Sequence, residues 1–453
     1  MKTKSISTPV VGFVKAYAGS ETTRLHMPGH KGQAFLGCEA WDITEINGAD
    51  SLYEANGIIA ESEANTTTLF DSQCTLFSTE GSSQVIRAML YLIMLNGQSR
   101  NKEKKRPVIA AARNVHKAFI YAATLLDFDV IWLWPKEQIL SVCSCPISPE
   151  QIKDVLEQHL DIAAVYLTSP DYLGTQADIK AIAKVCHEKK IILAVDNAHG
   201  AYLKFLGTSQ HPLDLGADIC CDSAHKTLPV LTGGAYLHIS KNAPEIFAKQ
   251  AKNAMGLFGS TSPSYLTMMS LDLCNRYLSE TYPDCLKEII ELRYGYDKEL
   301  ELAGWRVLKS DPLKITIEVP STYSGIELAT NLRNKGIECE YADQNYIVFM
   351  LTPENKKSDL DRLILGLGKN QHIYTEKKAL QIPSTKQVMS IREAMFSLPE
   401  TINLTDAENR ICRMPTVSCP PAIPIAVPGE LITKDMIDIF RYYGFIKLDV
   451  VKE

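Results

Sequence analysis

Between residues 107 and 239 the chain alternates two hydrophobic patterns. The runs "PVIAAA", "FDVIWLW", "DIAAVYLTSP", "IILAVDNAHG", "GADICCDSAHK" and "GGAYLHIS" are short, apolar and ended by polar residues, as buried strands are. Between them, "VHKAFIYAATLL", "PEQIKDVLEQHL" and "ADIKAIAKVCHEKK" carry apolar residues at helical spacing. In the last of these, Ile179, Ile182, Ala183 and Cys186 share one face; in the second, Pro149 falls in the first turn, where its missing N–H costs nothing. Upstream, "STEGSSQVIRAMLYLIML" opens a strongly apolar helix. Units alternating in this way predict an α/β fold with a mostly parallel sheet covered by helices on both faces. Such sheets bind ligands beyond the carboxyl ends of their strands. The rule singles out four polar sets, at 114–116, 168–172, 196–199 and 223–226.

After about Thr281 the pattern changes. "CLKEIIELRYGYDKELELAG" reads as a long charged helix, "WRVLKSDPLKITIEVP" and "ECEYADQNYIVFMLT" as strands, and "SGIELATNLRNKG" and "ENKKSDLDRLILGLGKNQ" as helices. A smaller α+β domain is expected there. "SCPPAIPIAVPGELIT" is too rich in proline for a helix and too apolar for a loose linker, so an ordered extended segment is expected. The expected organisation is an N-terminal segment over 1–60, a major domain over 61–281 and a C-terminal domain over 282–453.

Composition narrows the classes. The chain has 453 residues, 45% apolar and 22% charged, with a net charge of -6, so no basic field argues for nucleic acid. No apolar run reaches membrane-spanning length, and "VVGFVKAYA" is interrupted by a lysine where a signal core would be continuous. The cytoplasm is the expected location. The twelve cysteines show no paired CxxC spacing, so reduced thiols and no metal site are expected.

Chemistry enters with "CCDSAHKTLPVLTGGAYLHI". Lys226 follows a buried strand by a few residues. An amine held there, partly desolvated, suits imine chemistry with an aldehyde cofactor. Pyridoxal phosphate (PLP) would also need a carboxylate for its ring nitrogen, a phosphate cradle and a flat group over its face. Asp196 ends a strand thirty residues earlier, Gly81, Ser82 and Ser83 open a helix, and His116 sits in "RNVHKAF". Each also has a plainer use: a surface lysine, a turn aspartate, a serine N-cap, a loop histidine.

Taken together, "SAHK", "DNAHG", "TEGSS", "RNVHKAF", "LHMPGHKG" and "DITEINGADSLYEANGII" resemble the Orn/Lys/Arg decarboxylase family, over about Leu25 to Tyr265 and again in "CPPAIPIAVPGE". The resemblance implies the PLP-dependent fold type I, with a seven-stranded-type sheet and a smaller α+β C-terminal domain. The chain looks like the short, biosynthetic-type members, which lack the receiver-like N-terminal domain of the large acid-inducible bacterial enzymes. By the same resemblance Lys226 carries the cofactor, Asp196 pairs with its ring nitrogen and His116 stacks on its face. Ser82 and Ser83, with Gly81, Ser223 and His225, hold the phosphate, and His199 lies near the ring edge. His225, like Lys226, is a candidate acid for the α-carbon. Ser260 and Thr261 of "STSPSY" reach across a homodimer with shared active sites. His30 and Lys31 lie near the site entrance.

The implied substrate is a basic amino acid, which needs acidic partners. The candidates are Asp42, Glu45, Asp50, Glu54, Asp171 and Glu430. The resemblance inclines to arginine, giving agmatine and CO₂ for polyamine synthesis, with lysine or ornithine as alternatives. Two other classes stay open: an aminotransferase-like enzyme binding its substrate through Arg413 or Arg306, and a non-catalytic regulatory homologue. Asn197, Asp171 and Cys419 depart from the family pattern.

Overall fold

The computed structural model describes residues 6–100, 106–309, 311–380, 385–415 and 422–453. Its strands are β1 (Cys74–Ser78), β2 (Val108–Ala112), β3 (Asp129–Leu133), β4 (Ile162–Thr168), β5 (Ile192–Asp196), β6 (Ile219–Asp222), β7 (Ala235–Ile239), β8 (Arg306–Leu308), β9 (Lys314–Glu318), β10 (Tyr341–Ala342), β11 (Tyr346–Met350), β12 (Pro399–Asn403) and β13 (Lys447–Val451). Two compact units divide the chain, and each joins two separate stretches: 1–102 with 192–287, and 103–191 with 288–453.

In the first unit the strand order is β1-β7-β6-β5. β5 and β6 are parallel, whereas β7 runs antiparallel to both β6 and β1. β5, β6 and β7 are buried along their whole length, which is why the sequence reads there as unbroken apolar runs. The helix Ser82–Arg100 buries Val85, Ile86, Met89, Leu90 and Ile93. A cluster of three rings, Phe70, Phe77 and Tyr236, packs at β1 and β7.

In the second unit β2 lies between β3 and β4, and both pairs are parallel. Local signals explain its helices. Ser148 and Gln151 form a reciprocal capping box at the start of Pro149–Gln158, and Asp178 accepts from the Ala181 amide at the start of Ile179–Glu188. A four-stranded antiparallel sheet of order β10-β11-β9-β8 and the β12-β13 ribbon complete the unit. Tyr341, Val348, Ile425, Met436, Phe440 and Val450 belong to one core in it.

The α/β fold with a mostly parallel large sheet is therefore present. Two expected strands split. "ECEYADQNYIVFMLT" becomes β10 and β11 because Asp343 turns the chain, its Oδ1 accepting from the amides of Asn345 and Tyr346 at 2.8 Å each. "WRVLKSDPLKITIEVP" becomes β8 and β9, where Asp311 Oδ1 accepts from the Leu313 amide at 2.8 Å. No helix among the described residues is long and apolar enough to cross a membrane.

Candidate functional site

The parallel pairing of β5 and β6 sets Asp196 opposite Cys221, so the two chains leave the sheet side by side. Asp196 is 2% exposed. Its Oδ1 accepts from the Ala198 amide at 3.1 Å and from the Cys221 thiol at 3.4 Å. Beyond β6, Ser223 precedes the single helical turn Ala224–Thr227, which carries His225 and Lys226. Lys226 Nζ lies 2.9 Å from Nε2 of His199. The amine thus meets an imidazole three residues past the β5 acid. His225 Nδ1 lies 3.0 Å from the Gly234 carbonyl. A carbonyl only accepts, so Nδ1 bears the hydrogen and Nε2 carries a proton only as imidazolium.

The phosphate-type cradle forms at the start of Ser82–Arg100. The Ser223 hydroxyl donates to Ser82 Oγ at 2.8 Å, which gathers two hydroxyls at a helix N-terminus. Ser83 stands in the same first turn, and its carbonyl accepts from Arg87 Nε at 2.9 Å. Gly81 shapes this corner: it sits at φ +73°, and its amide donates to the Gly233 carbonyl at 2.7 Å. Gly233, at φ +96°, has no room for a side chain, because a Cβ would stand 2.6 Å from the Thr79 carbonyl oxygen. Ser260 and Thr261 are exposed, and Glu80 accepts from the Ser260 amide. The structure therefore gathers Lys226, His199, Asp196, His225, Ser223, Ser82, Ser83 and Gly81 on neighbouring strand and helix ends of one unit. An amine, a buried acid and a hydroxyl-lined helix N-terminus are the donor set that an aldehyde with a ring nitrogen and a phosphate requires, so the residues present fit PLP.

The acids expected to meet a basic substrate are placed differently. Asp50 is 6% exposed and closes the start of the helix Ile58–Phe70: its carboxylate accepts from the amides of Asn56, Gly57 and Ile59 at 3.1, 2.8 and 3.1 Å. Glu45 is exposed and accepts from the Thr44 hydroxyl. His30 donates from Nε2 to Asp42 at 3.1 Å, since its Nδ1 accepts from the Gly32 amide at 3.0 Å. The Lys31 ammonium donates to the His26 carbonyl.

In the second unit, His116 caps Lys117–Leu126, its Nδ1 accepting from the Ala118 amide at 3.1 Å. Asp171 is buried and accepts from the Thr175 amide at 2.8 Å. Burial pushes its carboxyl up to about 6, against the opposing pull of Lys314. Glu430, 1% exposed, accepts from Arg113 Nη2 at 3.1 Å and from the Val427 amide at 2.7 Å. Arg413 donates to the carbonyls of Ser397 and Met395, and Arg306 stacks on Tyr374 and pairs with Glu318 at 3.5 Å. Both arginines weighed for an aminotransferase thus hold local structure. Cys419 lies outside the described residues.

One cluster had no sequence signal. His211, Asp222 and His238 are fully buried around a single carboxylate. Ligand atoms of His211, Cys220 and Asp222 lie within 4.8 Å of one another. Their spacing in sequence matches no metal motif, and only the strand pairing brings them together.

Comparison with known proteins bears on the family and the fold. The model of the Orn/Lys/Arg decarboxylase major domain matches residues 8–310, and that of the C-terminal domain matches 371–448. An arginine decarboxylase of Bacillus subtilis (strain 168) is 28% identical, with 98% of this chain and 94% of the relative covered. An arginine decarboxylase of Halalkalibacterium halodurans is 27% identical, covering 96% of this chain and 93% of the relative. The crystal structure of the Francisella novicida lysine decarboxylase LdcF superposes with a TM-score of 0.80 at 16% identity, over 99% of this chain and 81% of that one. With two domain models matched in order along most of its length, the chain belongs to the Orn/Lys/Arg decarboxylase family.

Proposed function

We propose that the protein is a PLP-dependent arginine decarboxylase that releases agmatine and CO₂. The observation that carries the chemistry is the 2.9 Å approach of Lys226 Nζ to His199 Nε2, beside the buried Asp196. The arginine preference is supported by the names of the near-full-length relatives. When bound, PLP supplies the electron sink that accepts the electron pair left behind by CO₂.

The chain's own residues do the rest. Ser82, Ser83 and Ser223 would fix the phosphate, and Asp196 would keep a proton on the ring nitrogen, which stabilises the charge that develops as CO₂ departs. Lys226 Nζ would hold the cofactor and the proton that the α-carbon requires. His199 accepts a hydrogen bond from Nζ and keeps the amine aimed. His225 Nε2 is the second proton source, active as imidazolium.

The protein is further proposed to act in the cytoplasm, in polyamine synthesis, as a homodimer. Leu25, Met27, Phe35 and Leu36 are 89, 61, 82 and 90% exposed within one short segment, a patch that a second copy would cover. Ser260 and Thr261 would then serve the partner's phosphate site. Incubation of the protein and PLP with arginine, lysine and ornithine in turn, with identification of the amine, tests the reading. Agmatine from arginine is the expected product. A keto acid, or inertness toward all three, would overturn it.

A further inference from the structure

We propose that Asp222 is a positioning residue of this reaction: through Asn197 it locks the loop bearing Asp196 and His199 to the loop bearing Ser223 and Lys226. The proposal rests on the PLP-decarboxylase reading and concerns how that site is held.

Asp222 ends β6 and is 0% exposed, as are His211 and His238. A carboxylate in such a place is strongly unfavourable unless its oxygens are filled. Here they are. Oδ1 accepts from Asn197 Nδ2 at 2.6 Å, and Oδ2 faces Nε2 of His211 at 3.1 Å and of His238 at 3.2 Å. A carboxylate only accepts, so both imidazoles donate from Nε2. His211 Nδ1 in turn accepts from the Leu213 amide at 3.4 Å, and His238 Nδ1 meets the Thr75 hydroxyl at 2.8 Å. The carboxylate thus gathers β7, the 211 turn and the 197 loop at one point. Burial works to raise its pKa, and the two imidazoles outweigh burial, so the carboxyl stays below the usual range.

The bridge at 197 is one of several ties between the same two loops. The Asn197 amide donates to the Cys221 carbonyl at 2.9 Å, and the Cys221 thiol donates to Asp196 Oδ1 at 3.4 Å. Side chains alternate along β6, so Cys221 holds Asp196 on one face while Asp222 holds Asn197 on the other. Past the bridge the loop curls over its own amide: a Cβ at Gly200 would stand 2.1 Å from Asn197 Oδ1. That curl delivers His199 to Lys226. Asp222 touches none of the reacting groups and acts by fixing where two of them stand. Asn197, one of the chain's departures from the family pattern, acquires a purpose.

The experiment uses full-length apoprotein, PLP and three variants. Asp222→Asn places an amide either against two N–H donors or against the Asn197 amide. It should raise the PLP dissociation constant about 10-fold and lower kcat about 10-fold, with KM changed less than about twofold, as misplacement of reacting groups does. Asn197→Asp sets two carboxylates in contact and should cost about 100-fold in both. In the double variant the new amide at 222 donates to the new carboxylate at 197, while its oxygen still accepts from both imidazoles. PLP affinity and kcat should return to within about 3-fold of wild type, a coupling that additive damage cannot produce. Single variants that melt lower yet bind PLP and turn over as wild type per bound cofactor would overturn the proposal, as would additive losses in the double variant. If Asp222→Asn does not fold, Asn197→Ser removes only the bridge and must still weaken PLP binding by about 3-fold; unchanged binding overturns the idea. Wild-type protein that binds PLP but decarboxylates no basic amino acid sinks the decarboxylase reading alone, because PLP affinity still reports on the bridge.

Discussion

Buried acids in the two units behave differently. In the first, Asp196 and Asp222 sit at the ends of adjacent parallel strands, and their contacts with Cys221 of β6 and with Asn197 tie together the two segments that lead to His199 and Lys226. In the second, Asp171 closes a turn through the Thr175 amide. Asp343 is filled by the Ser141 and Tyr341 hydroxyls, at 2.8 and 2.9 Å, and by two amides. Glu430 faces a guanidinium. Electrostatics follow the partners: imidazoles hold Asp222 low, whereas burial pushes Asp343 up and Asp171 to about 6. Burial at a strand end therefore does not mark chemistry. An acid whose partners stay within its own turn or core builds scaffold, and an acid whose partners run on to a reactive amine serves the reaction.

The contrast can be broken where it is sharpest. Lys226→Ala should lower CO₂ release by at least about 1000-fold while circular dichroism shows the fold intact; retained turnover would place the reactive amine elsewhere. In the second unit the loss should be one of stability. Arg113→Leu leaves Glu430 charged, buried and without its guanidinium, and should cost about 3–5 kcal/mol in urea unfolding. Adding Glu430→Gln should return part of that.

Asp171→Asn probes a smaller term. The carboxyl is raised from 3.8 to about 6 in the folded protein, so its contribution is full below pH 3.8 and is lost as pH rises through 6. The variant should gain up to about 3 kcal/mol at neutral pH relative to acid, and flatten the stability slope across that window. Asp272, also raised to about 6, keeps the slope from vanishing. Asp50→Ala tests the exception, a scaffold acid within the first unit: loss of a helix cap should cost about 0.5–2 kcal/mol in thermal unfolding and leave kcat in place. A collapse of kcat there would return Asp50 to the substrate pocket.

The sequence was legible where one chain segment carries the whole signal. The strands β2 to β7 announce themselves as apolar runs, and Lys226, Asp196, Ser82 and Ser83 follow from the rule of strand ends and helix starts. β1 escaped because "CTLFS" is short and its polar flanks resemble a loop; its partner β7 lies far along the chain. The Asp222 cluster escaped for the same reason, since only the β6–β7 register sets His238 beside Asp222. The acids are ambiguous in sequence: "GADSLYEANG" looks as well suited to substrate as to capping, and the amide distances add the capping contacts of Asp50.

The pairing of Cys74 with Ile239 has a consequence for biosynthesis. The first unit joins 1–102 with 192–287, so on the ribosome its early half emerges long before the strands that complete its sheet. Until β7 arrives, β1 offers an open edge and the apolar face of Ser82–Arg100 stays uncovered. The nascent chain passes through an interval in which a holding chaperone has a defined place to bind.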